Sequence, residues 1–158
     1  MSDCFGAVFA QWLKGLSSGD AAGWLIGPGI MGPDARAKGY ICLRDMIDPS
    51  ATHCLSPQPD SYDHFDPRAD VHHNSGIPNR AFAVFARAVG GNAWEAPLKI
   101  WYGAATGGRL SPTATFADFA HQTIAAAGRW KGSNRENLLA AVQEAWATVK
   151  VSVPQLVA

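Results

Sequence analysis

Six of the ten prolines in this 158-residue chain lie between residues 17 and 70. They stand at Pro28, Pro33, Pro49, Pro57, Pro59 and Pro67. Because proline lacks a backbone N–H and clashes with the preceding turn, a segment interrupted this often cannot hold a long helix or a central strand. The distribution therefore predicts a long loop region with at most short regular elements.

Helical patterns lie on both sides of this loop region. Apolar residues recur at helical spacing from Phe5 to Leu16, which predicts an amphipathic helix over residues 2–16 with Ser2 near its N-cap. After the loop region, Pro78 suits a first helical turn. The strong helix formers of residues 81–89 follow, and Gly90-Gly91 should end that helix.

Three more helices are predicted towards the C-terminus. One opens at Pro97 and ends at residues 107–108, which are both glycine; another covers 115–127, with Thr115 as its N-cap. Ser133 and Glu136 have the spacing of a capping box for a last helix that runs to about Val149. Since no segment alternates like a strand, the predicted fold class is all-α. It is a bundle of about five helices with one large irregular insertion.

The composition narrows the class of partner. Hydrophobic residues make up 47% of the chain and charged residues 16%, which is typical of a globular domain. The net charge is zero and no basic block occurs, so neither nucleic acid nor an anionic membrane is expected as a partner. No run reaches the length of a membrane span. The first residues lack a signal peptide, which leaves the cytoplasm as the expected compartment.

Three cysteines, Cys4, Cys42 and Cys54, cannot all pair with one another. Reduced thiols are the simplest interpretation, and a Cys42–Cys54 bridge stays open. The cysteines and histidines show no spacing typical of a zinc site, which argues against an independent Cys/His metal hydrolase. No metal ligand is therefore predicted in the chain.

The run from Asp70 to Phe82, DVHHNSGIPNRAF, concentrates the chemistry of the chain. A carboxylate two residues before His72 can orient the imidazole and stabilise its charged form, as a catalytic histidine requires. A histidine near a helix start is, however, more often a local hydrogen-bonding residue. The adjacent His73 is expected to be structural.

This run resembles the active-site histidine segment of the thermolysin-like (M4) zinc metallopeptidases. The strings GGNAWE at 90–95 and IWY at 100–102 extend the likeness and are most similar to the protealysin-type branch. The resemblance spans nearly the whole chain, so residues 1–158 are predicted to be one domain. It would be the helical C-terminal domain, which forms one wall of the substrate cleft.

The resemblance implies a role for several residues. His72 would donate to the oxyanion at the scissile carbonyl, with Asp70 orienting it. Arg44 would bind substrate carbonyl groups, although it could instead pair with a nearby acid. Asp3 would orient a zinc-bound histidine, although it is equally suited to a helix N-terminus. The pocket for the side chain after the scissile bond would be lined by Ile26, Ile30 and Leu43.

Two departures from the family pattern matter for metals. The chain has no His-Glu-x-x-His, and it begins at Met1, just after the position of the third zinc ligand. The zinc of the complete enzyme would thus be held by an N-terminal domain absent from this sequence. Calcium is not expected, because Ala10 and Pro28 stand where relatives place oxygen ligands.

The leading hypothesis is the C-terminal half of a zinc metalloendopeptidase, inactive alone. Its expected partners are a peptide substrate and either its own N-terminal half or a second copy, through an exposed apolar face. Relatives are often secreted. The alternative is a non-catalytic module, derived from such a peptidase, that binds peptides or a partner protein.

Overall fold

A computed structural model describes residues 1–153, and the last five residues of the predicted domain, 154–158, lie outside the described residues. The helices are α1 (Ser2–Lys14), α2 (Pro33–Ala37), α3 (Val71–Asn74), α4 (Gly76–Val89), α5 (Ala96–Thr106), α6 (Phe116–Gly128) and α7 (Arg135–Thr148). Five of them are long and correspond to the five predicted helices. The all-α prediction is confirmed.

Glycines and one capping box set the helix ends. Gly15 (φ 64°) and Gly90 (φ 77°) follow α1 and α4 in backbone conformations that a side chain would strain. At the start of α6, the Asp118 amide donates to Thr115 Oγ1 at 3.2 Å, and the Thr115 amide donates to Asp118 Oδ2 at 2.8 Å. The prediction of Thr115 as an N-cap is confirmed.

The predicted capping box of the last helix is wrong. Asn134, not Ser133, occupies the N-cap position of α7, and no side chain caps the helix there. The Asn134 side chain accepts a hydrogen bond from Trp130 Nε1 at 3.1 Å. The Asn134 side chain thus bonds to Trp130, four residues before it, and does not cap α7. At α1, likewise, Met1 is the N-cap and Ser2 is the first helical residue.

The segment from 17 to 70 holds only short elements, as predicted. Single 3₁₀ turns lie at Ala21–Trp24, Pro28–Ile30 and Tyr62–His64. Two short strands, β1 (Leu25–Ile26) and β2 (Arg44–Asp45), pair antiparallel with Ile26 opposite Arg44. This pairing draws the loop region back against α1, because β1 and α1 are in contact.

The core lies among the last four helices, with α4 packed on α7 and α6 packed between α5 and α7. Trp101 of α5 and Trp146 of α7 stack at its centre, with ring centroids 5.3 Å apart and planes 7° apart. The buried Trp146 indole N–H donates to Thr123 Oγ1 at 2.8 Å. Fully buried aromatic side chains each contribute roughly 1.5–3 kcal/mol through removal from water.

The outer face of α1 exposes large apolar side chains. Phe9, Trp12 and Leu13 are 62%, 58% and 67% exposed, and the Phe9 and Trp12 rings stack 6.0 Å apart. Four residues of the opposite face are buried: Cys4, Ala7, Val8 and Gln11. Among residues 1–153, no helix combines the length and the apolar character needed to cross a membrane.

Candidate active site

Arg44 is joined to the first helix by an ion pair. Its Nη1 donates to both carboxylate oxygens of Asp3, at 3.0 and 3.2 Å. Both side chains are mostly buried, with 17% and 16% of their surface exposed. Arg44 lies on β2 and Asp3 in the first turn of α1, so the pair fixes the loop region to that helix. The acid that pairs with Arg44 is thus Asp3.

Asn79 completes this cluster. Its Nδ2 donates to Asp3 Oδ2 at 2.8 Å, and its Oδ1 lies 3.5 Å from the Cys4 thiol, which can donate to it. Asn79 is only 1% exposed and belongs to the first turns of α4. The Asp3 carboxylate therefore accepts hydrogen bonds from β2 and from α4. Sequence reasoning missed Asn79, although an amide at a buried helical position was a signal for it.

Three predicted pocket residues lie around the end of β1. The Leu43 amide donates to the Ile26 carbonyl at 2.9 Å. A Cβ atom added to Gly27 would lie 3.2 Å from Ile30 Cδ1 and 3.4 Å from Leu43 Cβ, so these two side chains flank the same glycine. Ile30 is 71% exposed, and Ile26 pairs with Arg44 across the two strands, so an apolar surface adjoins this strand pair. The structure thus brings Ile26, Ile30 and Leu43 together.

His72 lies in the single-turn helix α3 and is exposed. Asp70 is the N-cap of α3, and its Oδ1 accepts hydrogen bonds from the backbone amides of His72 at 2.7 Å and His73 at 3.1 Å. These two bonds, and then the two nearby imidazoles, hold the pKa of Asp70 below its ordinary value. In this structure Asp70 positions the backbone of His72, and a contact with the His72 ring stays a prediction.

The loop at residues 58–59 holds α3 in place. The His72 carbonyl accepts from Ser75 Oγ at 2.7 Å and also from Gln58 Nε2, while Gln58 Nε2 lies 3.0 Å from Ser75 Oγ. Gly76 permits this contact, because a Cβ there would lie 2.5 Å from the Pro59 carbonyl oxygen. A side chain at this position would push the loop away from the helix start.

Ser75 has helical backbone angles (φ −64°, ψ −14°), so α3 leads directly into α4. Residues seven apart on a helix share a face and lie roughly 10.5 Å apart along its axis. His72 and Asn79 have this spacing. The exposed imidazole and the Arg44–Asp3–Asn79 cluster are therefore expected on the same side of the α3–α4 segment.

The metal predictions can be compared with the residues around α1. A cavity of about 280 Å³ between α1 and residues 22–28 is lined by Asp3, Ala10, Lys14 and Pro28, among others. A lysine ammonium and apolar walls suit calcium poorly. The Asp3 carboxylate already accepts hydrogen bonds from Arg44 and Asn79, so it is a poor ligand for a cation in this cavity. That calcium does not bind here stays a prediction.

Residues 1–151 match the family described as the thermolysin metallopeptidase, α-helical domain. The chain belongs to this family. Its fold agrees with that of the precursor of protealysin, a metalloproteinase from Serratia proteamaculans. That comparison has a TM-score of 0.81 at 34% identity and covers 96% of this chain and 48% of the other.

Three named bacterial proteases are similar to this chain in sequence. An extracellular metalloprotease of Pectobacterium carotovorum is 35% identical over 98% of the chain and 45% of its own length. The extracellular minor metalloprotease of Serratia marcescens is 33% identical over 94% and 42%. Protease PrtS of a Photorhabdus strain is 33% identical over 78% and 35%. The chain therefore spans less than half the length of the relatives that it matches.

The chain is thus the C-terminal, helical domain of an M4 metalloprotease, as the sequence predicted. Membership of this family implies zinc in the complete enzyme. The residues of the candidate site do not fit a catalytic zinc by themselves. Asp3 is engaged by Arg44 and Asn79, and His72 is the imidazole with the predicted catalytic role. That the zinc ligands lie outside this chain stays a prediction.

Proposed function

We propose that this chain supplies one half of the active site of a zinc metalloendopeptidase and is inactive alone. The observation that carries the proposal is the Arg44–Asp3–Asn79 cluster. A guanidinium held by a carboxylate, itself held by a buried amide, stands fixed beside an apolar surface. Such a preorganised cation can bind a peptide carbonyl with little further loss of side-chain entropy.

His72 would act as a donor to the developing oxyanion. Its side chain is exposed while its backbone is held by Asp70, Ser75 and Gln58, so the imidazole would approach a bound peptide from a fixed backbone. Donors fixed in this way stabilise charge that develops only in the transition state. In the complete enzyme the zinc ion would polarise the carbonyl and activate water. Arg44 and His72 bind the same peptide and place its carbonyl groups.

The apolar face of α1 supports a partner for this half. Phe9, Trp12 and Leu13 project from the helix that also carries Asp3, so a domain packed on this face would lie next to the cluster. We propose the zinc-binding domain as that partner. A second copy of the chain is the alternative, and it would appear as a dimer that Trp12→Ser dissociates.

The non-catalytic alternative rests on a different observation. The core around Trp101 and Trp146 is closed within the described residues, so the domain needs no partner to bury it. A stand-alone domain with the same cleft wall would bind peptides and cleave none. The two hypotheses differ in whether adding a zinc-binding domain produces peptide cleavage.

The deciding experiment mixes the purified chain with the zinc-binding domain of protealysin and follows a fluorescence-quenched peptide. We expect no cleavage by either part alone and chelator-sensitive cleavage by the mixture. Arg44→Ala should abolish the gain, whereas Arg87→Ala, which removes an exposed arginine of α4, should not. Peptide binding that persists with no cleavage in any mixture would favour the binding module. Cleavage by the chain alone would contradict the proposal.

A further inference from the structure

Cys42, His53 and Cys54 converge next to β2, whose Asp45 contacts His53. Cys42 and Cys54 form an isolated parallel bridge, both are fully buried, and their sulphurs lie 3.8 Å apart. A ring nitrogen of His53 and the two sulphurs all lie within 4.8 Å of one another. His53 and Cys54 follow Cys42 by eleven and twelve positions. They lie next to it because the Ile41 amide donates to the His53 carbonyl at 3.0 Å.

The donor set and its spacing suit zinc. Two thiolates and an imidazole are the ligands that zinc prefers in structural sites. Two sulphurs each about 2.3 Å from one zinc ion, and separated by a tetrahedral angle, would lie about 3.8 Å apart. The separation of the two sulphurs therefore already matches that of a zinc site.

Asp45 contacts the His53 ring and can fix its orientation. Its Oδ2 lies 3.1 Å from His53 Nε2, and its Oδ1 accepts from the Ile47 amide at 2.8 Å. Histidines that bind metals commonly donate their second ring N–H to a carboxylate, which fixes the ring. With Nε2 engaged by Asp45, Nδ1 is the nitrogen left for a metal.

Binding of a divalent cation would release the two thiol protons to solvent, and the two thiolates would then offset the charge of the ion.

We propose that Cys42, His53 and Cys54 bind one zinc ion through two thiolates and Nδ1. His53 is partly exposed, so a water molecule can reach the fourth position. The ion would tie residues 53–54 to Cys42, two residues before β2 begins at Arg44. This site is separate from the catalytic zinc of the family and does not depend on the proposed peptidase function.

The test measures metal in the purified 158-residue chain prepared under reducing conditions. We expect one equivalent of zinc, and in the cobalt-substituted protein a sulphur-to-cobalt charge-transfer band with tetrahedral visible bands. His53→Gln and Cys54→Ser should each lower zinc affinity by at least 100-fold. Asp45→Asn should lower it 10- to 100-fold. His64→Gln, which removes another carboxylate-paired histidine, should leave it unchanged.

Three results would overturn the proposal. The first is zinc binding that His53→Gln and Cys54→Ser leave intact, and the second is no zinc binding by the reduced chain. The third is a chain whose mass in cells is lower by two hydrogens and is restored by a reductant, which would make Cys42 and Cys54 a disulfide. His53→Gln keeps both cysteines and changes a partly exposed side chain, so it separates loss of the metal from loss of the fold.

Discussion

Arg44 Nη1 and the Asp3 carboxylate lie 3.0 Å apart although the two residues are separated by 41 positions in the chain. The pair joins the irregular segment to α1, and Asn79 joins the same carboxylate to α4. Three parts of the fold thus meet at one carboxylate. The pair therefore stabilises the fold and also belongs to the proposed substrate-binding site. Different experiments test these two roles.

Asp3→Ala should destabilise the domain by about 1–3 kcal/mol, because it leaves a mostly buried guanidinium and the Asn79 amide without their acceptor. Urea unfolding measures this change. Glu95→Ala removes an exposed ion pair with Lys99 and should cost no more than about 0.5 kcal/mol. Equal losses for the two variants would show that the Asp3 cluster is not a structural junction.

His72→Ala should lower the kcat of the complete enzyme by roughly 100- to 1,000-fold with little change in KM, because the lost donor acts on the transition state. Steady-state kinetics of the chain paired with a zinc-binding domain would show it. His73→Ala removes the adjacent imidazole, which is also exposed, and should change kcat only a few-fold. A larger effect from His73 than from His72 would reverse the assignment of the two histidines.

Gly76→Ala should destabilise the domain by about 1–3 kcal/mol, because its Cβ would meet the Pro59 carbonyl and Gln58 Cβ at 2.5 and 2.6 Å. The displaced loop would also release the His72 carbonyl. Gly103→Ala is the matched control, since it is a helical glycine of α5 with nothing within 4 Å of the new atom. It should stabilise by about 0.5–1 kcal/mol. Thermal unfolding distinguishes the two directions.

The sequence predicts the parts of this fold that depend on local physics. Helix periodicity, Gly90 after α4 and the Thr115 cap all act within a few residues, and each is confirmed. The irregular segment was equally predictable from its prolines. The resemblance to M4 peptidases then predicted the family and the all-α class correctly.

What the sequence could not predict depends on long-range contacts. Asn79 meets Asp3 across 76 positions, and the Cys42–His53–Cys54 cluster forms only because the chain doubles back at residue 41. Along the chain, those three residues show no zinc spacing. Ser133 shows a different limit: its spacing to Glu136 matches a capping box, yet Asn134 is the N-cap of α7 and makes no capping bond.

Thr115→Ala should therefore destabilise by about 1 kcal/mol, because the Asp118 amide loses its capping oxygen. Ser133→Ala should change the free energy of unfolding by less than about 0.5 kcal/mol, since Ser133 does not cap α7. Chemical unfolding of both variants tests the assignment of the two helix starts. A loss for Ser133→Ala as large as that for Thr115→Ala would restore the capping box that the structure rejects.

Asp70 should contribute a pH-dependent part of the stability at the start of α3. Its hydrogen bonds to the His73 and His72 amides lower its pKa below the ordinary value of 3.8. A carboxyl with a lowered pKa in the folded state stabilises the fold above its unfolded pKa. That contribution is lost as the pH falls through the folded value. The loss is thus expected below about pH 4.

Asp70→Asn isolates this contribution, because asparagine caps a helix as well as aspartate does but does not titrate. The difference in unfolding free energy between the wild-type chain and Asp70→Asn should be constant around pH 5, where the Asp70 carboxylate is charged. Below about pH 4 the wild-type chain should lose stability relative to Asp70→Asn. A carbon-detected NMR titration gives the Asp70 pKa directly. A value at or above the ordinary one would show that the carboxylate does not cap α3 in solution, and His72 would then lack its backbone anchor.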